Sequence, residues 1–233
     1  MLLANSLIQG FLGSNMMGRG IVAAQIAGSV IMLALIIGKW RELNFLTGST
    51  RRFIRDFESF GDTLSYQLKR HPLVTIGIET VYRVTCEKLI AMVRPDPRNP
   101  AATVTALSPR EVELVASTCE HALDDEELKL ERGMGIIATI VAMEPMLGLL
   151  GTVWGVLDAF ADMGTAGSAN LATIAPSISS ALVTTVVGLI VAIFGVCCSN
   201  WMNGRIRELS STFEAFADEL SGRLAIEYQG KEA

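Results

Sequence analysis

Residues 143–160 read MEPMLGLLGTVWGVLDAF, and no other stretch constrains the fold as much. It is apolar and long enough to lie inside a bilayer, yet it carries Glu144, Pro145 and Thr152. Polar and ionisable groups are costly in lipid, so they face protein or water and mark an ion path or a buried helix contact. Residues 172–199 repeat the theme, with Thr184 and Thr185 set in a run of apolar and small residues. Together the two stretches point to an ion-conducting helix bundle rather than a soluble enzyme.

Composition supports a membrane reading. Of 233 residues, 50% are hydrophobic and 18% are charged, whereas soluble domains carry about 25% charged residues. The deficit is concentrated in three segments. Residues 20–38 have no charge and one amide, Gln25; residues 135–160 contain Glu144 and Asp158; residues 174–199 have no charge. A spanning helix needs about 20 residues at 1.5 Å each, and all three meet that requirement. The first is read as an uncleaved anchor rather than a signal peptide. It exceeds an h-region of roughly 7–15 residues, only Arg19 precedes it, and no clear cleavage site follows.

Lys and Arg set the orientation. Lys39, Arg41, Arg51, Arg52 and Arg55 follow the first span, Lys129 and Arg132 precede the second, and Arg205 and Arg207 follow the third. Residues 161–171, between the second and third spans, hold neither Lys nor Arg. The N-terminus is therefore expected outside, with residues 39–133 and the C-terminus in the cytoplasm. The net charge of −5 carries no orientation signal, and the lack of a basic, aromatic-rich patch gives nucleic-acid binding no support.

The polar parts read as helices. Phe53, Phe57, Phe60, Leu64 and Leu68 lie on one face of a helix over 50–70, which His71 and Pro72 break. Residues 73–93 form a second amphipathic candidate, ended by the proline cluster at 94–100. Ser108, Pro109 and Glu111 make a capping box with proline at the first helical position. Gly133 and Gly135 leave open whether that helix continues into the second span. In the tail, Ile206, Leu209, Phe213, Phe216, Leu220 and Leu224 recur at helical spacing. This stripe is expected to form a collar against neighbouring chains, the other reading being a helix packed on its own cytoplasmic domain.

In the second span Gly148, Gly151 and Gly155 form a small-residue stripe, and Ala181, Gly188 and Ala192 form one in the third. Such stripes let helices approach closely in lipid. Two readings of Glu144 stay open: proton handling, or a buried hydrogen-bonded carboxyl that fixes packing beside Pro145. Thr152 and Thr185 fall at similar depths in oppositely directed helices, which fits a shared polar lining, with Ser180 and Thr184 as further candidates for it. Pro145 and Pro176 are candidate kink or gating points. No nucleophile–base pair, phosphate loop or metal-ligand set is found. Cys86, Cys119, Cys197 and Cys198 lack metal spacing and are read as reduced packing residues. His71 and His121 are isolated. The chain is expected to be no enzyme and to hold no cofactor.

The run from Pro145 through Gly148, Gly151 and Thr152 to Gly155, followed by Ile174-Ala175-Pro176, Ala181, Thr185, Gly188 and Ala192, resembles the MotA/TolQ/ExbB proton channel family, in particular its ExbB/TolQ branch. The resemblance implies an all-α integral membrane protein of three transmembrane helices with long cytoplasmic helical extensions, assembled as a pentameric ring around a central pore. It further implies a dimer of a single-span ExbD/TolR-like partner in the pore, with a membrane aspartate that carries protons, so that the proton-motive force drives motion and energises an envelope process. Thr152 and Thr185 match the family's pore threonines. Two departures stand out: Ser180 occupies a glutamate position of the pattern, and Phe194 a proline position. Glu144 is a candidate for the displaced carboxylate. On this reading residues 1–19 form a periplasmic or interfacial helix, 20–38 the first span, 39–134 a cytoplasmic helical domain, 135–160 the second span, 161–173 a short periplasmic loop, 174–199 the third span and 200–233 a cytoplasmic C-terminal helix. The competing readings are a non-conducting oligomeric scaffold and a sodium-driven MotA-like stator.

Overall fold

A computed structural model of the chain describes residues 16–59, 76–93, 107–166 and 171–228. Five helices account for nearly all of them: α1 Met16–Glu58, α2 Ile78–Met92, α3 Pro109–Glu131, α4 Met134–Ala166 and α5 Leu171–Tyr228. The expected helix at 1–19 lies outside the described residues except for its last four, which open α1. Phe60, Leu64, Leu68, the break at 71–72 and the proline cluster at 94–100 also lie outside them.

Two helices are longer than the sequence pattern implied. The first apolar segment and the start of the amphipathic stretch at 50–70 are one helix, and so are the third span and the tail. Gly48 and Gly204 sit near the joins, with nothing within 4 Å of where a Cβ would stand. An isolated glycine costs about 1 kcal/mol in a helix interior and does not end it. The α3–α4 junction does break. Gly133 takes φ +88°, a left-handed conformation that stops a helix at little cost only for glycine.

The chain divides into two compact units. One is drawn from the described parts of Met1–Lys39 and Gly133–Met202, the other from those of Trp40–Arg132 and Asn203–Ala233. The second unit has an ordinary apolar core: Leu43, Leu46, Phe53, Phe57, Val81, Tyr82, Leu89, Val115, Phe213, Phe216 and Leu220 are all buried. Phe216 packs edge-on against Phe53 and Phe57 at 5.5 and 5.1 Å between centroids, and the Arg223 guanidinium lies 5.0 Å from the Phe57 ring, within cation–π range. The six apolar tail positions Ile206, Leu209, Phe213, Phe216, Leu220 and Leu224 are all buried here. This corrects the expected collar: α1, α2 and α3 of the same chain absorb the stripe, so it needs no neighbouring chain.

Local chemistry fixes the ends of α2 and α3. The Glu111 carboxylate accepts from the Ser108 N–H and Oγ, both at 2.8 Å, and these bonds, the backbone one foremost, hold its carboxyl below the ordinary range. Gly77 precedes α2 with φ +79°, and its N–H donates to Glu126 Oε2 at 2.8 Å. Glu126 is 2% exposed and also pairs with Lys129 at 2.7 Å. Burial pushes the Cys86 thiol up to about 12 and raises that of Cys119 as well, as befits inert packing thiols.

The first unit buries Ile21, Met32, Ile36 and Ile137, but it also exposes large apolar side chains while enclosing polar ones. Ile26, Ile31, Met146, Leu149, Val153, Leu182, Ile190 and Ile193 are exposed, while Gln25, Glu144, Ser180 and Thr184 are buried. Water-soluble cores bury the apolar groups and leave the polar ones outside. Inverting that order suits a solvent of lipid. Helices α1 and α5, and the α3–α4 segment, are each long and apolar enough to cross a membrane.

Candidate ion path in the membrane unit

Helices α4 and α5 approach closely because their small residues face each other. A Cβ on Gly148 would lie 2.9 Å from Thr185 Cα and 3.2 Å from the Thr184 carbonyl oxygen. One on Gly151 would collide with Thr184 Oγ1, and one on Gly155 would stand 2.5 Å from Ala181 Cβ. A Cβ on Gly188 would meet the backbone of Glu144. The stripes thus join α4 to α5 within one chain. Ala181 and Ala192 are buried too.

The hydroxyls bind backbone carbonyls. Thr185 Oγ1 donates across the interface to Gly148 O at 2.7 Å. Thr184 Oγ1 donates to Ala181 O at 2.7 Å and lies 3.5 Å from Gly148 O. Thr152 Oγ1 donates within its own helix to Leu149 O at 2.8 Å. Thr152 and Thr185 are half-buried, whereas Thr184 and Ser180 are 2% and 6% exposed. Of the five expected pore-lining residues, Thr152 and Thr185 therefore keep surface, while Glu144, Ser180 and Thr184 are enclosed by their own chain. Ser177 Oγ of α5 donates to Asp162 Oδ2 of α4 at 3.4 Å. Pro145 and Pro176 lie inside α4 and α5. Pro145 offers no N–H to the carbonyl of Val141, four residues earlier.

Glu144 is 1% exposed. It faces α1 rather than Ser180: a Cβ on Gly28 would stand 2.6 Å from Glu144 Oε1. Its backbone lies opposite Gly188, eight residues beyond Ser180 on α5, or about 12 Å along the helix axis. Glu144 thus does not occupy the site vacated at Ser180. Sequence reasoning noted Gln25 but gave it no role. The structure makes it a hub: Gln25 Nε2 donates to Thr184 O at 3.0 Å and to Glu144 O at 3.5 Å. A lone amide in an uncharged span was the available signal.

Three spanning helices, apolar outside and polar within, define a polytopic α-helical membrane protein. Residues 98–215, a little over half of the chain, match the MotA/TolQ/ExbB proton channel family, and the chain belongs to that family. It is similar to the Tol-Pal system protein TolQ of Pseudomonas aeruginosa, 33% identical over 148 residues that cover 64% of this chain and 61% of the relative. It is also similar to the biopolymer transport protein ExbB of Xanthomonas campestris, 37% identical over 108 residues covering 46% and 43%. TolQ of Haemophilus influenzae is 28% identical over 223 residues, covering 95% and 94%. The match to the first two relatives therefore spans less than two thirds of their length, and the third is matched nearly end to end. These likenesses put the chain on the ExbB/TolQ branch of a channel- and transport-type family.

Proposed function

We propose that this chain is the channel subunit of an ExbB/TolQ-like inner-membrane motor. Copies of it form a ring, a pentamer by family likeness, around a dimer of a single-span ExbD/TolR-like partner. Protons flow down the proton-motive force along the boundary between ring and partner, and the partner's motion energises an envelope process. The Lys and Arg flanks orient the N-terminus outside and the C-terminus in the cytoplasm. A potential of 100 mV supplies about 2.3 kcal/mol per charge, so each large mechanical step uses several protons.

One observation carries the reading. Of the four hydroxyls singled out from sequence, Thr152 and Thr185 remain half-buried while Ser180 and Thr184 are enclosed. We assign Thr152 and Thr185 to the surface that protons pass, and Glu144, Ser180 and Thr184 to the layer behind it. Pro145 removes one backbone donor from α4 and permits local bending beside that layer. The test is proton flux into liposomes holding the chain and its partner under an imposed potential. Thr152→Val and Thr185→Val should each abolish flux while the assembly stays intact. Undiminished flux in both variants would reject the assignment, and no flux in the wild type would favour a non-conducting scaffold.

A further inference from the structure

The environment of Gln25 and Glu144 leaves two acceptor atoms without a donor. Both side chains are enclosed, at 0% and 1% exposure. The Gln25 amide group is oriented by two carbonyls, those of Thr184 and Glu144, to which only its NH2 can donate. Turning the amide over would set oxygen against oxygen. Gln25 Oε1 must therefore point away from them, and it has no hydrogen-bond partner. Glu144 Oε2 is likewise buried without one. Gly28, one turn along α1 from Gln25, makes room for the carboxyl, and a Cβ there would stand 2.6 Å from Oε1. Gln25 and Gly28 of α1 and Gly188 of α5 lie against Glu144, and none of the three titrates.

A buried acceptor without a donor costs the full desolvation of that group. Gln25 touches the Glu144 backbone and Gly28, one turn from Gln25 on α1, faces the Glu144 carboxyl, so a proton on that carboxyl is the donor these residues can themselves supply. We propose that Glu144 and Gln25 form a proton-binding site inside each chain, in which the protonated Glu144 carboxyl donates to Gln25 Oε1. The same amide bridges α1 to both signature helices, so loss of the proton withdraws a donor from the residue that clips the three spans together. The occupancy of this site is thereby coupled to the contact of α1 with α4 and α5. The proposal deepens the proton-path reading in its purpose, but the existence of the site does not depend on conduction.

Infrared difference spectroscopy of the assembled protein in liposomes at neutral pH tests it. The wild type should show a protonated-carboxyl C=O band that vanishes in Glu144→Gln. In Gln25→Leu, which cannot accept, the band should move to the higher frequency of an acid without an acceptor. Thr184→Val should leave it in place, because Gln25 uses that residue's backbone carbonyl. Gly28→Ala gives a second, independent perturbation of the carboxyl and should also shift the band. Absence of the band in the wild type, or a band unmoved by both Gln25→Leu and Gly28→Ala, would overturn the site. Proton flux measured on the same liposomes reads the proposed function separately: the band and its shifts without any flux would uphold the site and reject conduction.

Discussion

Gly148 is where a single methyl group should separate α4 from α5. The Cβ of Gly148→Ala would meet backbone, Thr185 Cα at 2.9 Å and Thr184 O at 3.2 Å, and neither atom can turn aside. Relief requires moving the helices apart, and overpacking of this kind costs about 1–3 kcal/mol. It would also weaken the 2.7 Å bond from Thr185 Oγ1 to Gly148 O, worth about 0.6 kcal/mol in membrane proteins. Against this, alanine gains about 1 kcal/mol of helix propensity over glycine. The net expectation is a loss of about 0.5–2.5 kcal/mol, measured by SDS-driven unfolding in mixed micelles followed by circular dichroism. Gly38→Ala and Gly135→Ala are the controls, since no atom lies within 4 Å of either new Cβ, and both should be neutral or stabilising. Gly151→Ala should also destabilise, but there the obstacle is the Thr184 side chain, so adding Thr184→Ala should recover part of the loss. No change in Thr184 side chain should rescue Gly148→Ala. If Gly148→Ala is as stable as Gly38→Ala, the described α4–α5 contact is wrong.

Glu126→Ala should uncap α2: a hydrogen bond to a charged group is worth about 1.5–3 kcal/mol, so amide exchange at Gly77 should speed up about 10- to 150-fold, with α4 unaffected. Cys86 and Cys119 should resist alkylation at pH 8 in the folded protein. A thiol held near 12 is about one part in ten thousand thiolate there, against about a quarter for a free cysteine, and mass spectrometry before and after denaturation reads the difference. Because the folded thiols keep their protons longer than the unfolded ones, their contribution to stability is complete below the unfolded value. It is lost as pH rises through the folded one, so unfolding should become easier in alkali.

The sequence made the spans legible because lipid demands long apolar runs, and the small and hydroxylated stripes because close helix approach in lipid demands them. Glu111 and Pro109 announced the start of α3 correctly, since a capping box is a local device. Other features depend on residues far apart in the chain. Nothing near Glu126 signals that it will reach Gly77, 49 positions away. The tail stripe was visible, but its periodicity cannot tell whether the buried partner belongs to the same chain, and here it does. The first and third spans were read apart from the helices that follow them, yet each pair is one helix: an isolated glycine such as Gly48 or Gly204 weakens a helix without ending it, whereas Gly133 ends one by adopting positive φ. Glu144 was conspicuous, yet its direction toward Gly28 and Gln25 follows only from how α1 seats on α4 and α5.

The central claim is that Thr152 and Thr185 border an aqueous proton path while the large apolar side chains of α5 border lipid. Cysteine accessibility measures this in the assembled protein in liposomes, with Cys197 and Cys198 replaced by serine. Thr152→Cys and Thr185→Cys should react with a small, charged, water-borne thiol reagent and be shielded when the partner is present, whereas Ile190→Cys and Ile193→Cys should not react. Labelling at 190 and 193 with none at 152 and 185 would contradict the account.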